Sequence, residues 1–112
     1  MRVVPFILGI ILLLGGPSLA QTGPSSTVRV GDIQIAYRTV GKGDPLVLIM
    51  GFAGVMDMWD PVFVRRLALN YRIIMFDNRG MGGSTAPPGQ FSIEEFAADT
   101  AGLMDALNIP KA

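Results

Sequence analysis

Apolar and polar residues alternate from Val28 onward. Val28 and Val30 flank Arg29, and Ile33, Ile35 and Tyr37 flank Gln34 and Ala36, with Gly31-Asp32 between the two runs. A period of two with a turn pair in its middle predicts two half-buried strands joined as a tight hairpin. Gly41, Lys42, Gly43, Asp44 and Pro45 crowd turn-forming residues together and end the second strand. The pattern then changes in kind. Residues 46–50 and 73–76 are unbroken apolar runs, which suit strands covered on both faces in a parallel sheet. Between them Asp60 is placed as an N-cap and Pro61 as a first helical residue, where its missing N–H costs nothing. Val62, Phe63 and Leu67 are read as the inward stripe of this helix, with Arg65 and Arg66 toward solvent. Strand, helix and strand with short joins predict a right-handed crossover unit.

The last periodic segment is a second helix. Ser92 and Glu95 have the Ser-x-x-Glu spacing of a capping box, in which each side chain satisfies a backbone N–H of the other residue. Ile93, Phe96, Ala97, Thr100, Leu103, Met104 and Leu107 recur every three or four residues and predict its buried face. Glu94, Asp99 and Asp105 are assigned to the opposite face, and Asn108 and Pro110 to its end. The predicted order is β-β-β-α-β-α, an α/β layer. Its final helix should lead to a further parallel strand, yet only residues 109–112 follow it. A partial domain over residues 28–112 is therefore expected, with an open edge on its third strand.

Residues 1–27 follow another logic. Arg2 precedes an apolar run over residues 3–14, broken only by Pro5 and Gly9, and Gly15, Gly16 and Pro17 end it. Ser18-Leu19-Ala20 then offers a small-x-small cleavage site before Gln21. That succession predicts a signal peptide over residues 1–20, cleaved after Ala20 to give a secreted or periplasmic protein. The run is shorter than the roughly 20 apolar residues a spanning helix needs, although an uncleaved N-terminus would serve as a membrane anchor. Residues 21–27 are rich in Gly, Pro and Ser and read as a flexible lead-in.

Composition narrows the chemistry. Nine Lys+Arg balance nine Asp+Glu, so the chain lacks the basic footprint of nucleic-acid binding. Without Cys it has no disulfide, thiolate nucleophile or Cys-based zinc site. Without His it has no imidazole base or ligand, and no Ser-His-Asp triad of its own. No metal or cofactor is expected.

Two glycine-rich loops fall at carboxyl ends of predicted strands, where α/β sheets bind ligands. Gly51-Phe52-Ala53-Gly54 follows the third strand directly. Glycine lets the backbone turn sharply there, and outward N–H groups can stabilise a developing oxyanion. The same residues also describe a plain glycine turn into the helix. The second loop is Asp77-Asn78-Arg79-Gly80-Met81-Gly82-Gly83-Ser84. A dinucleotide fingerprint would need glycine at position 85, which is Thr85, and Gly41-Lys42-Gly43 lacks the hydroxyl residue of a phosphate loop. Gly82-Gly83-Ser84-Thr85-Ala86 lacks the final glycine of a nucleophile elbow and runs into Pro87-Pro88 instead of a helix. Ser84 thus reads as a loop hydroxyl bonded to backbone. Asp77 reads as an acceptor for N–H groups of the following turn, and Arg79 as a donor to a carboxylate or to carbonyls. Gly80 and Gly82 supply positive φ. The loop is predicted to be structural.

Together these residues resemble the N-terminal part of the α/β-hydrolase fold superfamily. The resemblance covers residues 28–112 and is carried by Pro45-Leu46-Val47-Leu48-Ile49-Met50-Gly51-Phe52-Ala53-Gly54, by Trp59, and by Leu67-Ala68-Leu69-Asn70-Tyr71-Arg72-Ile73-Ile74. It is strongest in Phe76-Asp77-Asn78-Arg79-Gly80-Met81-Gly82-Gly83-Ser84, and extends to the helix bearing Asp99 and Leu103 before Asn108-Ile109-Pro110. The resemblance implies the family's first four strands and first two helices. It also implies that the Phe52 backbone N–H belongs to an oxyanion hole, with Gly51, Ala53 and Gly54 shaping the loop. Many members carry His-Gly where this chain has Met50-Gly51, which keeps the backbone donor and loses any histidine hydrogen bond. The family's nucleophile, acid, histidine and second oxyanion N–H come later in sequence, and none is present here.

The expectation is the N-terminal portion of an exported hydrolase acting on a small-molecule ester or acyl substrate, inactive as these 112 residues alone. Haloalkane, epoxide and peroxide chemistries occur in the same superfamily and leave the reaction class open. The alternative is a short non-catalytic binding or partner module of the same origin.

Overall fold

The structure, a computed structural model, describes residues 25–112. The signal peptide assigned to residues 1–20 lies outside them. The hairpin forms as its alternation requires: β1 (Ser26–Val30) pairs antiparallel with β2 (Ile33–Val40), and Val30 stands opposite Ile33 across the Gly31-Asp32 turn. The lead-in is shorter than expected, because Ser26 and Thr27 already pair with Tyr37 and Ala36. Ladder hydrogen bonds come from the backbone, so two polar side chains at a sheet border do not prevent pairing.

β3 (Asp44–Leu48) also begins earlier than its apolar run, and Ile49 and Met50 leave the sheet instead of ending the strand. Next come a single 3₁₀ turn (Met56–Met58), α1 (Pro61–Leu67) and β4 (Tyr71–Phe76). β3 and β4 lie side by side and parallel, as the crossover unit predicts. β4 runs antiparallel to β2, giving a mixed sheet in the order β1-β2-β4-β3. β3 is an edge strand of this sheet.

β4 explains why its sequence is apolar throughout. Successive strand side chains point to opposite faces, so Ile74 and Phe76 enter one core while Ile73 and Met75 enter the other. The first core gathers Val30, Ile33, Ile35, Leu103 and Ile109 beneath α2 (Ile93–Ala106), and the second gathers Ala36, Leu48, Met56 and Val64 beneath α1. Ala36 is buried, so β2 is covered on both faces at that point and is not the half-buried strand its alternation suggests.

The N-cap of α1 forms as expected, with Asp60 Oδ1 accepting the Val62 N–H at 2.7 Å and Pro61 at the first helical position. Its inward stripe forms as expected only at Leu67. Val64 is the buried residue, whereas Val62 and Phe63 are exposed. The helix is only seven residues long, and it meets the sheet along Val64, Leu67 and Ala68, which have the i, i+3, i+4 spacing of one face. Phe63 instead stacks on Trp59 with ring centroids 6.0 Å apart.

In α2 both halves of the Ser92–Glu95 capping box are made. Leu103 and Met104 pack inward as expected, but Ile93 and Ala97 are exposed, and Asp99, assigned to the solvated face, is buried. Gly102 permits close approach to β1, since a Cβ there would lie 2.5 Å from Val30 Cγ1. The helix ends in a Schellman motif. Asn108 takes φ +59°, its N–H donates to Asp105 O, and the Ile109 N–H reaches back to Met104 O at 2.8 Å. Ile109 is thereby folded into the core, the apolar contact that accompanies this motif. Beyond it, Lys111 and Ala112 share a shallow cleft with Asp44 and Pro45 at the start of β3.

Candidate functional site

Both glycine-rich loops lie at the carboxyl ends of neighbouring parallel strands, and hydrogen bonds fix each in shape. The ladder between β2 and β4 ends at the Tyr37–Phe76 pair, and residues 77–85 take over along β2. The Asp77 N–H donates to Ala36 O at 3.0 Å, and the Thr85 N–H donates to Gln34 O at 2.9 Å. Ser84 Oγ accepts the Ala36 N–H at 2.9 Å and donates to Asp77 O at 2.7 Å. Ser84 is buried, and these two bonds give it the backbone-tying role read from its setting.

Asp77 does more than hold its own turn. Its carboxylate accepts the Gly83 N–H at 2.9 Å, as the loop pattern suggests, and also the Met56 N–H of the 3₁₀ turn at 2.7 Å. One buried carboxylate thus ties the two loops together. Gly82 sits at φ +50°, and a Cβ there would collide with that carboxylate. Gly80 also has positive φ, at +75°.

Arg79 turns to the other side. Its Nε and Nη2 make a bidentate pair with Asp99 at 2.7 and 2.9 Å, and Nη1 reaches Glu95 at 3.1 Å. Asp32 lies 3.9 Å away. The hydrogen bond to Asp99, aided by the three negative charges, raises the guanidinium pKa above its ordinary value against the opposing effect of burial. A raised pKa stabilises the fold wherever pH is below the unfolded value, so the cation persists through the whole working range. This pairing is why Asp99 lies inside. It locks α2 onto the second loop.

The first loop is a turn closed by the Gly54 N–H donating to Gly51 O at 3.1 Å. Its left-handed residue is Ala53, with φ +66°, and not a glycine. Among the described residues no backbone hydrogen bond is made by the Phe52 N–H, and Phe52 as a whole is 80% exposed. A β-carbon in the left-handed region costs about 1–2 kcal/mol. Ala53→Gly is therefore expected to raise stability by about 0.5–1 kcal/mol after the extra unfolded-state entropy of glycine is subtracted, read as a higher denaturation midpoint. Strain of this kind concentrates at functional loops.

Asn78, unmarked by the sequence reading, braces that turn from below. Its Nδ2 donates to Met50 O at 3.0 Å, while its Oδ1 is buried with no partner among the described residues. Phe52 and Ala53 face a cavity of about 170 Å³ that Ile49 and Met50 border at the exit of β3. Asn78 and Met81 line it from the second loop, and Ile93 and Phe96 from the first turn of α2. The exposure of Ile93 is explained by this position. Only its placement at an N-terminal turn beside a strand-end loop hinted at it in the sequence.

Comparison with known proteins decides the lineage. Residues 44–112 match the family model described as the alpha/beta hydrolase fold. The chain belongs to the α/β-hydrolase fold family. A Mycobacterium tuberculosis protein provisionally named a non-heme bromoperoxidase is 43% identical over 81 residues, which is 71% of this chain and 30% of that protein. The crystal structure of an enol-lactonase from Burkholderia xenovorans LB400 superposes with a TM-score of 0.73 at 33% identity, over 78% of this chain and 35% of that one. A membrane phospholipase A described as a bacterial virulence factor gives a TM-score of 0.73 at 25% identity, over 99% of this chain and 42% of that one. The chain thus spans about a third of the length of the α/β-hydrolases it matches.

Proposed function

We propose that this chain forms the oxyanion-binding layer of an exported serine-type α/β-hydrolase acting on a small ester or related acyl substrate. The observation that carries the reading is the turn at residues 51–54, strained at Ala53, braced by Asn78 and opening on an apolar cavity. In acyl transfer, charge builds on the carbonyl oxygen, and a fixed N–H aimed at it contributes without reorganisation. The Phe52 N–H takes that role, with Gly51, Ala53 and Gly54 holding the turn. Serine attack, histidine proton transfer and the second N–H belong to an elbow and triad outside these 112 residues, which contain no His. Support for that division comes from the fraction of its relatives that the chain spans. The 112 residues alone are then inactive.

A second reading concerns the N-terminus. Retention of residues 1–20 as an uncleaved anchor is supported by the apolar run that follows Arg2. Isolating the native protein from cells that make it, and sequencing both ends by mass spectrometry, tests the proposal. The expected product begins at Gln21 and continues past Ala112 into a Gly-x-Ser-x-Gly within about 15 residues. A product ending at Ala112 would overturn the hydrolase reading; one beginning at Met1 and pelleting with membranes would replace export with anchoring.

A further inference from the structure

We infer that the outer face of α1 docks on the anionic surface of a lipid bilayer. The even balance of nine cations and nine anions conceals a separation across the sheet. On one face α2 carries Glu94, Glu95, Asp99 and Asp105 and no Lys or Arg. On the other, α1 carries Arg65 and Arg66 and no Asp or Glu. Lys42 joins them. Its turn packs on the exit of α1, where a Cβ on Gly41 would lie 2.5 Å from Tyr71 O and one on Gly43 2.7 Å from Asn70 O. Arg65, Arg66 and Lys42 are exposed, and among the described residues none of them is in an ion pair. Of the acids in adjoining segments, Asp60 caps the helix and Asp57 pairs with Arg38, which leaves Asp44 alone against three cations.

Apolar side chains share this face. Val64, Leu67 and Ala68 turn to the sheet, and the winding continues through Leu69, whose N–H donates to Arg66 O at 3.3 Å. At about 3.6 residues per turn, Val62, Arg66 and Leu69 then fall on the opposite side, with Phe63 and Arg65 flanking them. Val62, Phe63 and Tyr71 are exposed, and Leu69 is 80% exposed. A convex ridge of apolar tips between arginines suits a bilayer better than a protein, which would need a matching groove. The apolar residues enter the headgroup boundary, and the long Arg and Lys stems follow while their charged ends reach lipid phosphates. An anionic leaflet attracts the α1 side of the sheet and repels the α2 side, so the field also orients the approach. Both readings of residues 1–20, export and anchoring, bring the chain to a membrane. No residue of the turn at 51–54 takes part, so docking is independent of the hydrolase reading.

The test uses the whole chain and Trp59, its single tryptophan, which stacks on Phe63 and so reports from this face. Vesicles are made of phosphatidylcholine with brominated acyl chains, which quench a tryptophan close to the bilayer, alone or with an equal share of phosphatidylglycerol. Trp59 of the bound chain is expected to be quenched in the mixed vesicles and not in the neutral ones, and high salt should reverse the quenching. Each cation at an anionic leaflet is worth about fivefold, so Arg65→Gln/Arg66→Gln should lower the ratio of quenched to unquenched chains about twentyfold. Arg29→Gln, which removes a cation from β1, should change it less than about twofold. Reading quenching among bound chains separates docking of α1 from attachment through the N-terminus. Absence of binding to the mixed vesicles, binding with Trp59 unquenched, equal quenching in both lipids, or an equal loss in Arg29→Gln would overturn the inference. So would a response of Trp59 to soluble polyglutamate larger than its response to the mixed vesicles, which would give the face to an acidic protein.

Discussion

Arg79→Leu is expected to destabilise the chain by about 3–5 kcal/mol, the cost of leaving a buried carboxylate without its partner. The stranded group is Asp99, whose side chain is 5% exposed. Glu95 and Asp32 also lose the cation, but their side chains are 42% and 67% exposed, so water takes over and their share is small. The double variant Arg79→Leu/Asp99→Leu separates the value of the pair from the penalty of breaking it. Replacing a buried ion pair with apolar residues is often neutral or better, so the double variant should recover most of the loss. Urea midpoints at unchanged m-value measure both. If the double variant were as unstable as the sum of the single ones, the bidentate pair would not be the interaction that matters.

Asp77→Ala is expected to cost about 2–4 kcal/mol, because two backbone donors lose a charged acceptor. They are unequal. Met56 is 4% exposed and cannot rehydrate its N–H, whereas Gly83 is at the surface. Most of the loss should therefore appear at Met56, as a larger fall in amide protection on substitution there than at Gly83, which already exchanges from the surface. Asp77→Asn keeps one oxygen for Met56 and should cost about 1–2 kcal/mol, provided the amide turns its nitrogen toward Gly83. Equal losses for alanine and asparagine would mean that the carboxylate does not bridge the two loops.

Much of the fold was legible because its signals are local. Asp60-Pro61, the Ser92–Glu95 box and Asn108 mark helix ends through bonds made within a few residues, and all three are found where the sequence puts them. The apolar run at residues 73–76 announced a strand covered twice. What the sequence hid depends on partners distant along the chain. Asp99 shares the spacing of Phe96 and Leu103, but its charge sent it to the solvent face until Arg79 was found beside it. Phe63 drew attention by size, while the smaller Val64 makes the contact. At residues 51–54 the glycines suggested where the backbone would bend, yet the left-handed residue is Ala53. The cavity combines three segments, the exit of β3, the second loop and the first turn of α2, and no single stretch of sequence announces it.

The cleft shared by Lys111, Ala112, Asp44 and Pro45 acts as a ruler. It sets the end of the described chain at the beginning of β3, on a sheet whose β3 side is open. Any strand laid there from Ala112 starts level with Asp44 and runs in the same direction as β3. At about 3.3 Å per residue, it draws level with the end of the five-residue β3 after the same five steps. A strand of that length ends level with Leu48, so Ile49 and Met50 still separate its end from the turn at residues 51–54, and a segment leaving it must rise above the sheet by those two residues to meet the turn.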